Sequence, residues 1–561
     1  MIPAVPVRDV DYQALEFAYR PCADQRAPRP AHHPVVVVGA GPIGLALAID
    51  LAQRGVPVVL LDDDSKLSTG SRAICFSKRT LEILDRLGCG QRLVDKGVSW
   101  SRGRVFFRGE ALYGFDLLPE VGHCRPAFVN LQQYYAEGYL VERAAELPAI
   151  DLRWKNKVVA VERRDSHVEV DIETPGGPYR ITADWLVACD GARSPVRAML
   201  GLETQGRVFR DRFLIADIRT RAELLPGGAS ERWFWFDPAF HPNQSVLLHR
   251  QPDDVWRVDF QLGWDVDPLE ERKPERVIPR VRAFLDASPA RGAEFTLEWA
   301  SVYTFACMRM ARFRHGRVLF AGDAAHGVSP FGARGANSGI QDAENLAWKL
   351  ARVLRGTSAP ALLDTYADER EFAADENIRA STRSTDFITP KSDVSRLFRD
   401  AVLGLAKEHA FARRLVNSGR LSVPATLRGS ALNTPDVDVF TGEMEPGAVA
   451  ADAPLARGGE RTWLLQALGP DFTLLVFAPK PPAWAEGAEA SVVCIVPRGT
   501  SAAGGAFEDV EGLAAARYDA RPGTVYLLRP DQHVCARWRA PDAGTVRAAI
   551  ARATGDAVRP A

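Results

Sequence analysis

The stretch "VVVVGAGPIGLALAIDLAQ", Val35 to Gln53, decides the fold of this chain. It begins with a run of valines, passes through three glycines and continues with apolar residues at helical spacing. This order predicts a buried strand, a tight turn and a helix. A second apolar run, Val58 to Leu61, follows at once. Together the two runs predict the opening of a βαβ unit, and hence an α/β fold with a parallel sheet.

The glycines of this turn have the spacing of a dinucleotide-binding loop. Gly39 permits the tight turn, Gly41 lets a pyrophosphate approach the backbone, and Gly44 lets the helix pack on the strand. Pro42 begins the helix, whose N-terminus faces the phosphates. A plain turn is the alternative when the glycine pattern stands alone, but here the flanking strand and helix accompany it.

An acidic residue ends the second strand. Asp62 abuts the apolar run about twenty residues beyond the glycines, where a carboxylate can accept the ribose hydroxyls of an adenosine. Asp63 and Asp64 follow it, so a solvated acidic turn is the alternative. We expect Asp62 in the cofactor site, with Asp63 beside it.

Composition and charge narrow the classes of function. The 561 residues are 46% apolar with a net charge of −1, which suits two to four globular domains and predicts neither a nucleic-acid partner nor a membrane surface. The most apolar segment contains glycines, Pro42 and Asp50, so no transmembrane helix is expected. Eight cysteines are scattered singly without metal spacing, which favours a reduced, cytoplasmic, metal-free protein.

Two further stretches end predicted strands in an acid–glycine pair. "CDGARSPVR" carries Asp190-Gly191, and "RVLFAGDAAH" carries Gly322-Asp323. With the first glycine loop, and in this order, these motifs resemble those of the class A FAD-dependent aromatic hydroxylases of the p-hydroxybenzoate hydroxylase fold. The variant loop "GARGAN", Gly332 to Asn337, resembles a subgroup near the 3-(3-hydroxyphenyl)propionate hydroxylases.

The resemblance implies FAD as cofactor, NADH or NADPH as reductant, O2 and a small aromatic substrate. Hydroxylation of a phenol would proceed through a flavin C4a-hydroperoxide. It also implies a Rossmann-like FAD domain with an inserted antiparallel substrate sheet and, through "VYLLRPDQHVCARW" at 525–538, a C-terminal thioredoxin-like domain. That domain lacks C-x-x-C, so we expect packing or a homodimer contact from it, not dithiol chemistry.

The resemblance assigns residues to the cofactor. Asp323 would bind the ribityl chain, and Asp190 would serve FAD and NAD(P)H. The loop Ala321 to Gly339 would wrap the isoalloxazine ring, with the helix dipole near Ala336 favouring the charge of reduced flavin. The remaining matches are the cofactor contacts Arg72, Gln133 (with Gln132 as rival), Gly322, Gly335, Ala336 and Asn337, and Pro330, whose carbonyl would lie beside substrate and flavin. For Arg334 three alternatives stand: it faces the pyrophosphate, it faces an acidic substrate, or it is a surface arginine.

The base that deprotonates the phenol is not identified by any motif. His249, Tyr303 and Arg232 are the candidates, because they lie among aromatic residues of predicted strands, although each is more often structural. "WFWFDP", Trp233 to Pro238, raises a flavin-dependent halogenase as an alternative. A non-catalytic flavin-binding interaction protein is the other.

These patterns predict a discontinuous arrangement of domains. Short alternating segments mark the substrate domain, and the apolar strands that follow it belong to the FAD domain again. The predicted bounds are an N-terminal extension (1–34), the FAD domain (35–104, 129–206 and 302–375), the substrate domain (105–128 and 207–301), a helical connector (376–432), a linker (433–460) and the C-terminal domain (461–561).

Overall fold

The computed structural model describes residues 12–70, 73–228, 230–416, 421–500 and 505–556. The first part of the chain alternates strands and helices: β1 (Ala31–Val38), α1 (Pro42–Gln53), β2 (Val58–Leu61), β3 (Cys75–Ser77), α2 (Lys78–Leu87), α3 (Gly90–Lys96), β4 (Val98–Trp100), β5 (Arg102–Phe107), β6 (Glu110–Asp116), β7 (Phe128–Asn130), α4 (Gln133–Ala145), β8 (Ile150–Arg153), β9 (Lys157–Arg163), β10 (Val168–Glu173), β11 (Tyr179–Ala188) and α5 (Pro195–Met199).

The middle part is rich in strands and ends in a long helix: β12 (Thr204–Arg219), β13 (Glu231–Phe236), β14 (Ser245–Arg250), β15 (Val255–Leu262), α6 (Pro268–Glu271), α7 (Pro274–Asp286), β16 (Thr296–Met310), β17 (Arg314–His315), β18 (Val318–Phe320), β19 (His326–Gly327) and α8 (Gly335–Leu354).

The last part begins with helices and ends in a small α/β domain: α9 (Leu362–Ile388), α10 (Asp393–Ala406), α11 (Ala410–Val416), β20 (Pro454–Arg457), β21 (Glu460–Trp463), α12 (Leu464–Ala467), β22 (Thr473–Val476), β23 (Ser491–Pro497), β24 (Phe507–Asp509), α13 (Leu513–Arg517), β25 (Val525–Leu528), β26 (Val534–Trp538) and α14 (Ala543–Ala553).

The first sheet is the parallel sheet that the valine run predicts. Its order is β17-β18-β11-β1-β2-β8, with β10 and β9 added beside β11. β1 lies parallel between β11 and β2, and its residues Val35–Val38 are buried. Helices cover such sheets on both faces, which is why the strand is apolar throughout. β1 begins at Ala31, so the end of the predicted extension is already part of the sheet.

The second sheet is antiparallel over most of its width, in the order β19-β16-β12-β15-β14-β13-β5-β6. One face packs on α7 through an apolar cluster that includes Val258, Phe260 and Phe284. The other face carries polar and aromatic side chains and lies against a small third sheet, β3-β7-β4, as the contact of His249 with Cys75 of β3 shows. The long pair β12 and β16 leads the chain out of the first domain and back to it.

The C-terminal sheet has the order β21-β20-β24-β23-β22-β25-β26. β22 and β23 are parallel, β25 and β26 are antiparallel to their neighbours, and α14 follows, which is a thioredoxin-like arrangement. β20 lies within the stretch predicted to be a linker, so the end of that stretch joins this sheet. No helix among the described residues is long and apolar enough to cross a membrane.

Candidate active site

The glycine turn after β1 is packed tightly on one side and open on the other. A Cβ at Gly39, whose φ is +103°, would lie 2.5 Å from the Cys189 carbonyl oxygen, and a Cβ at Gly44 would lie 1.9 Å from the Gly39 oxygen. A Cβ at Gly41 would meet nothing within 4 Å. The turn therefore leaves an open cradle at the N-terminus of α1, where Pro42 is the first residue.

The acidic residue after β2 braces this cradle. Asp62 Oδ2 accepts a hydrogen bond of 2.6 Å from the Ala40 N–H, and Oδ1 accepts one of 2.9 Å from the Asp64 N–H. Burial raises the pKa of Asp62, partly offset by those two amides. Asp63 and Asp64 are exposed. The structure thus distinguishes Asp62, which faces the cradle, from its two neighbours.

The turn after β11 holds a carboxyl group, that of Asp190, with one oxygen that accepts no hydrogen bond within the described residues. Asp190 Oδ2 accepts a hydrogen bond of 2.9 Å from the Val196 N–H, whereas Oδ1 is buried with no partner among the described residues. Burial raises the pKa of this carboxyl group. Arg197 donates to the carbonyls of Ala192 (2.7 Å) and Ala324 (2.8 Å), and so ties this turn to the one after β18.

The turn after β18 is hydrogen-bonded to α8. Gly322 N–H donates to Asp342 Oδ2 at 2.9 Å, while the side chain of Asp323 is exposed. A Cβ at Gly339 would come within 2.6 Å of Ile43 and 3.2 Å of the Gly322 Cα. Because Gly339 has no side chain, α8 can approach both α1 and this turn closely.

Sequence reasoning missed the buried charges beneath this turn. Asp342 also accepts from His326 Nε2 (2.7 Å) and from Arg370 Nε (2.6 Å), and all three side chains are buried. Burial alone would raise the pKa of Asp342, but His326 and Arg370 outweigh it and hold that pKa below its ordinary value. A signal was present: Asp342 lies on the apolar face of a predicted helix, where a charge needs a partner.

The loop before α8 carries the residues expected to wrap the flavin ring. Gly335 and Ala336 are the first residues of α8 and are half-buried. Pro330 is exposed, and its carbonyl accepts a hydrogen bond of 3.1 Å from the Ala333 N–H. Arg334 donates to Asn377 of α9 at 3.2 Å, and burial lowers its pKa, so it is not a freely solvated surface arginine.

Asn337 is expected to supply a backbone amide, and the structure adds a role for its side chain. Its Oδ1 accepts from the Ser77 N–H and its Nδ2 donates to the Cys75 carbonyl, both at 2.9 Å. The side chain is buried. It therefore fastens the start of α8 to β3, which sequence spacing alone did not indicate.

Gln133 braces the loop that carries the predicted cofactor arginine. Its Oε1 accepts from the Ala73 N–H (2.9 Å), and its Nε2 donates to Ser68 (3.0 Å) and Glu137 (2.7 Å). Its rival Gln132 is buried and donates to the Pro252 carbonyl instead. Arg72 lies outside the described residues.

The three candidate catalytic residues project from one face of the second sheet. The strand register places Arg232 of β13 beside His249 of β14, with Arg257 of β15 next in line. Tyr303 of β16 lies opposite Phe213 of β12, three strands from His249. The structure therefore brings Arg232 and His249 together and leaves Tyr303 apart. Tyr303 lies instead beside Phe213, whose ring contacts Phe331 of the loop before α8.

Comparisons with known proteins agree with this geometry. A family model described as an FAD binding domain matches residues 32–381. The para-nitrophenol 4-monooxygenase of Pseudomonas sp. (strain WBC-3) is 30% identical over 65% of this chain and 89% of its own, and the 6-methylpretetramide 4-monooxygenase of Streptomyces rimosus is 31% identical over 90% of both. The chain belongs to the family of FAD-dependent aromatic monooxygenases.

A solved structure extends the likeness to the whole architecture. The flavin-dependent monooxygenase PieE, solved in complex with FAD and substrate, matches 94% of this chain and 100% of its own with a TM-score of 0.78 and 23% identity. This likeness shows the fold, including the C-terminal sheet. The relatives support a monooxygenase over a halogenase. The two tryptophans of the halogenase-like stretch, Trp233 and Trp235, lie on the α7 side of the second sheet. The ring centres of Trp235 and Phe284 are 5.8 Å apart.

The described residues fit FAD. The cradle at Gly41, the unpartnered Oδ1 of Asp190 and the exposed Asp323 all lie at the carboxyl ends of β1, β11 and β18, where α/β folds bind their ligands. Among the described residues no group of His, Cys, Asp and Glu could hold a metal ion. The cofactor of this monooxygenase is FAD, with NADH or NADPH as its reductant.

His249 lies at the centre of a buried polar cluster on the face of the second sheet that is turned away from α7. Its Nε2 is 3.3 Å from Asp259 Oδ2, and its Nδ1 is 4.0 Å from the Cys75 thiol. Burial, together with the charge of Arg232, lowers the pKa of His249 to about 4, so the imidazole is neutral at pH 7. Burial also raises the pKa of Cys75, which is therefore a thiol.

Proposed function

We propose that this monooxygenase is a single-component enzyme that hydroxylates a phenolic compound with NADH or NADPH and O2. One observation carries the proposal: the three motif turns follow three adjacent parallel strands, β1, β11 and β18, and α8 begins at the same edge. A glycine cradle for phosphates, two carboxyl groups and a helix N-terminus thus converge on one place. The relatives that act on phenols are consistent with it.

The chain's own residues would hold the cofactor in a defined way. The amides of the turn Gly39 to Gly44 and the N-terminus of α1 suit the pyrophosphate, and Asp62 suits the adenosine ribose. Asp190 and Asp323 suit the ribityl side. The first amides of α8, at Gly335 and Ala336, form the positive end of the helix dipole and would favour negative charge on a ring bound there. Bound FAD supplies hydride acceptance and the activation of dioxygen.

The face of the second sheet that carries His249 would orient the phenol, and a residue on it would accept the phenol proton. His249 is the best placed base, because the Asp259 carboxylate lies 3.3 Å from its Nε2 and would favour a proton on that nitrogen, leaving Nδ1 as an acceptor. Arg232 lies beside it and Phe234 provides an aromatic wall. Tyr303 and the Pro330 carbonyl would contact the substrate from the side of the flavin loop.

The test is anaerobic stopped-flow reduction of the purified protein by NADH and by NADPH, with a panel of phenols and hydroxyphenyl acids. We expect one class of compound to accelerate flavin reduction many-fold, and hydroxylated product to form in proportion to NAD(P)H once O2 is admitted. A yellow protein that neither nucleotide reduces under any condition contradicts the proposal and favours the non-catalytic flavin-binding protein.

The finer expectations from the sequence remain predictions. A homodimer, a cytoplasmic location and the absence of nucleic-acid or membrane partners belong to them. Size-exclusion chromatography with light scattering would test the first of these on the purified holoenzyme.

A further inference from the structure

Three residues stand in a row at the carboxyl edge of the first sheet: Gly39, Asp62 and Trp154. They directly follow the ends of β1, β2 and β8, which the strand register aligns side by side. Neighbouring strands lie about 4.8 Å apart, so the row runs in even steps from the glycine cradle, past the Asp62 carboxylate, to the turn after β8. A dinucleotide with its pyrophosphate at the cradle and its ribose at Asp62 would extend its adenine toward that turn.

Backbone hydrogen bonds hold the turn after β8 against the residues that follow β2. The Asp62 N–H donates to the Arg153 carbonyl at 3.0 Å, and the Asp62 carbonyl accepts from the Asn156 N–H at 2.8 Å. Trp154 lies between these two contacts and is only half-buried. An aromatic side chain with accessible surface therefore stands at the end of the row.

A segment from the N-terminus of the chain, residues 12–26, reaches the same turn. It lies outside the region that matches the FAD binding domain, which begins at residue 32. The Phe17 ring stacks on Trp154, with ring centres 4.4 Å apart and planes inclined by 5°. The Phe17 N–H donates to the Ser65 carbonyl at 2.5 Å. The segment is thus joined both to the turn after β8 and to the chain just beyond Asp62.

The N-terminal segment is anchored on both sides of Phe17. Tyr12 is buried against α4, where a Cβ at Gly138 would lie 2.0 Å from the Tyr12 ring. Asp24 forms an ion pair of 2.7 Å with the buried Arg153. Phe17 is therefore held at the carboxyl edge of the sheet by contacts on either side of it.

We propose that the N-terminal segment closes the adenosine end of the FAD site, with the Phe17–Trp154 pair packing against the adenine. The base is flat and aromatic, and aromatic side chains supply contacts to it that a glycine turn lacks. The inference rests on the placement of the ribose at Asp62 in the proposed function. It makes Phe17 a determinant of selectivity for FAD over FMN, which has no adenosine.

Three ligands separate the two ends of the cofactor. The full-length protein is freed of flavin and titrated with FAD, with FMN, and with ADP, which carries the adenosine and no flavin. The variants are Phe17→Leu, which keeps an apolar side chain without the ring, Phe17→Tyr, which restores a ring, and Asp62→Asn. The matched control is Phe507→Leu, which removes a half-buried aromatic ring from β24 of the C-terminal domain.

We expect Phe17→Leu to bind FAD and ADP about tenfold more weakly than the wild type, since a stacking contact to the base is lost. Its affinity for FMN should be unchanged, because the lost contact concerns the adenosine alone. Phe17→Tyr should recover affinity for FAD and ADP, and Phe507→Leu should match the wild type with all three ligands. Asp62→Asn should weaken FAD and ADP and spare FMN.

Three results overturn the inference. The first is a Phe17→Leu protein that binds FAD as tightly as the wild type does. The second is one that loses FAD and FMN affinity by the same factor, because the segment would then support only the fold. The third is a wild type that binds FMN as tightly as FAD.

The proposed function is tested separately from this inference. Undiminished FAD affinity in Asp62→Asn would contradict the placement of the ribose, whereas a loss there with no effect of Phe17→Leu would contradict the role of Phe17 alone. Failure of NAD(P)H to reduce the wild-type flavin would contradict the proposed reaction and leave the binding results unchanged.

Discussion

Arg529 of the C-terminal domain and Glu369 of α9 form an ion pair of two hydrogen bonds, 2.6 and 3.0 Å long, with both side chains buried. Lys349 of α8 joins the same carboxylate at 2.7 Å, and Asp531 pairs with Arg529 from the other side. The C-terminal domain is thus fastened to the helix that begins at the flavin loop.

Glu369→Gln should destabilise the protein strongly. The change leaves Arg529 and Lys349 buried with half of their countercharge, a loss of about 3–5 kcal/mol in the free energy of unfolding. Urea unfolding followed by tryptophan fluorescence measures it. Glu376→Gln, on the exposed side of the same helix, should cost less than about 1 kcal/mol. Equal losses in the two variants would contradict a buried network.

Stability should fall with acidification because of His249. Its pKa is about 4 in the folded protein against an unfolded value near 6.5, so the unfolded chain binds more protons between these values. From pH 6.5 to pH 5 the wild type should lose about 2 kcal/mol of unfolding free energy through this residue. His249→Asn should remove that part of the slope, and an unchanged slope in this variant would contradict the prediction.

Asn337→Ala should weaken FAD binding. The substitution removes the two hydrogen bonds that join α8 to β3, so the amides of the first turn are no longer held in position. We expect about a tenfold rise in the dissociation constant of FAD, measured by titrating the apoprotein and following flavin fluorescence. Gln341→Ala, on the same helix, serves as control, because the Gln341 side chain makes no hydrogen bond in the described part of the chain. If both variants bind FAD equally, the side chain of Asn337 does not position the loop.

Two glycines of the first turn should respond differently to substitution. Gly41→Val faces open space, so the apoprotein should fold normally and lose FAD affinity by tenfold or more, since the side chain occupies the phosphate cradle. Gly44→Ala should destabilise the fold itself, because its Cβ would overlap the Gly39 carbonyl. Thermal unfolding of the apoproteins together with FAD titration separates the two effects.

A glycine outside the site provides the control for this pair. A Cβ at Gly429 meets nothing within 4 Å, so Gly429→Val should change neither the melting temperature nor FAD affinity. A Gly41→Val protein with undiminished FAD affinity would place the pyrophosphate elsewhere.

Local patterns were enough to predict the fold class and the cofactor. The valine run, the glycine turn and the paired acid–glycine turns each lie within a few residues, and backbone geometry dictates their residue types. The same holds for the thioredoxin-like strands at the C-terminus. The helix dipole at Gly335 and Ala336 also follows from sequence, since it needs only the place where α8 begins.

The partners of the polar side chains could not be predicted in this way. Asp342 meets His326 and Arg370, and Asn337 meets Cys75, only after α8 packs against β3 and α9. Their aromatic neighbours in the sequence make His249 and Arg232 candidates, whereas nothing in the sequence singles out Asp259, which completes the cluster.

The sequence by itself therefore determined the architecture, the family and the cofactor, because close backbone approaches require glycine and buried parallel strands require apolar runs. Only the tertiary structure decided which charges are paired and which are not. That depends on residues far apart in the chain: Glu369 and Arg529 are 160 positions apart and meet, whereas Arg232 gains no acceptor for its Nε and Nη1 within the described chain. Because burial makes each unpaired donor costly, pairing is settled by the packing of distant elements and not by local sequence.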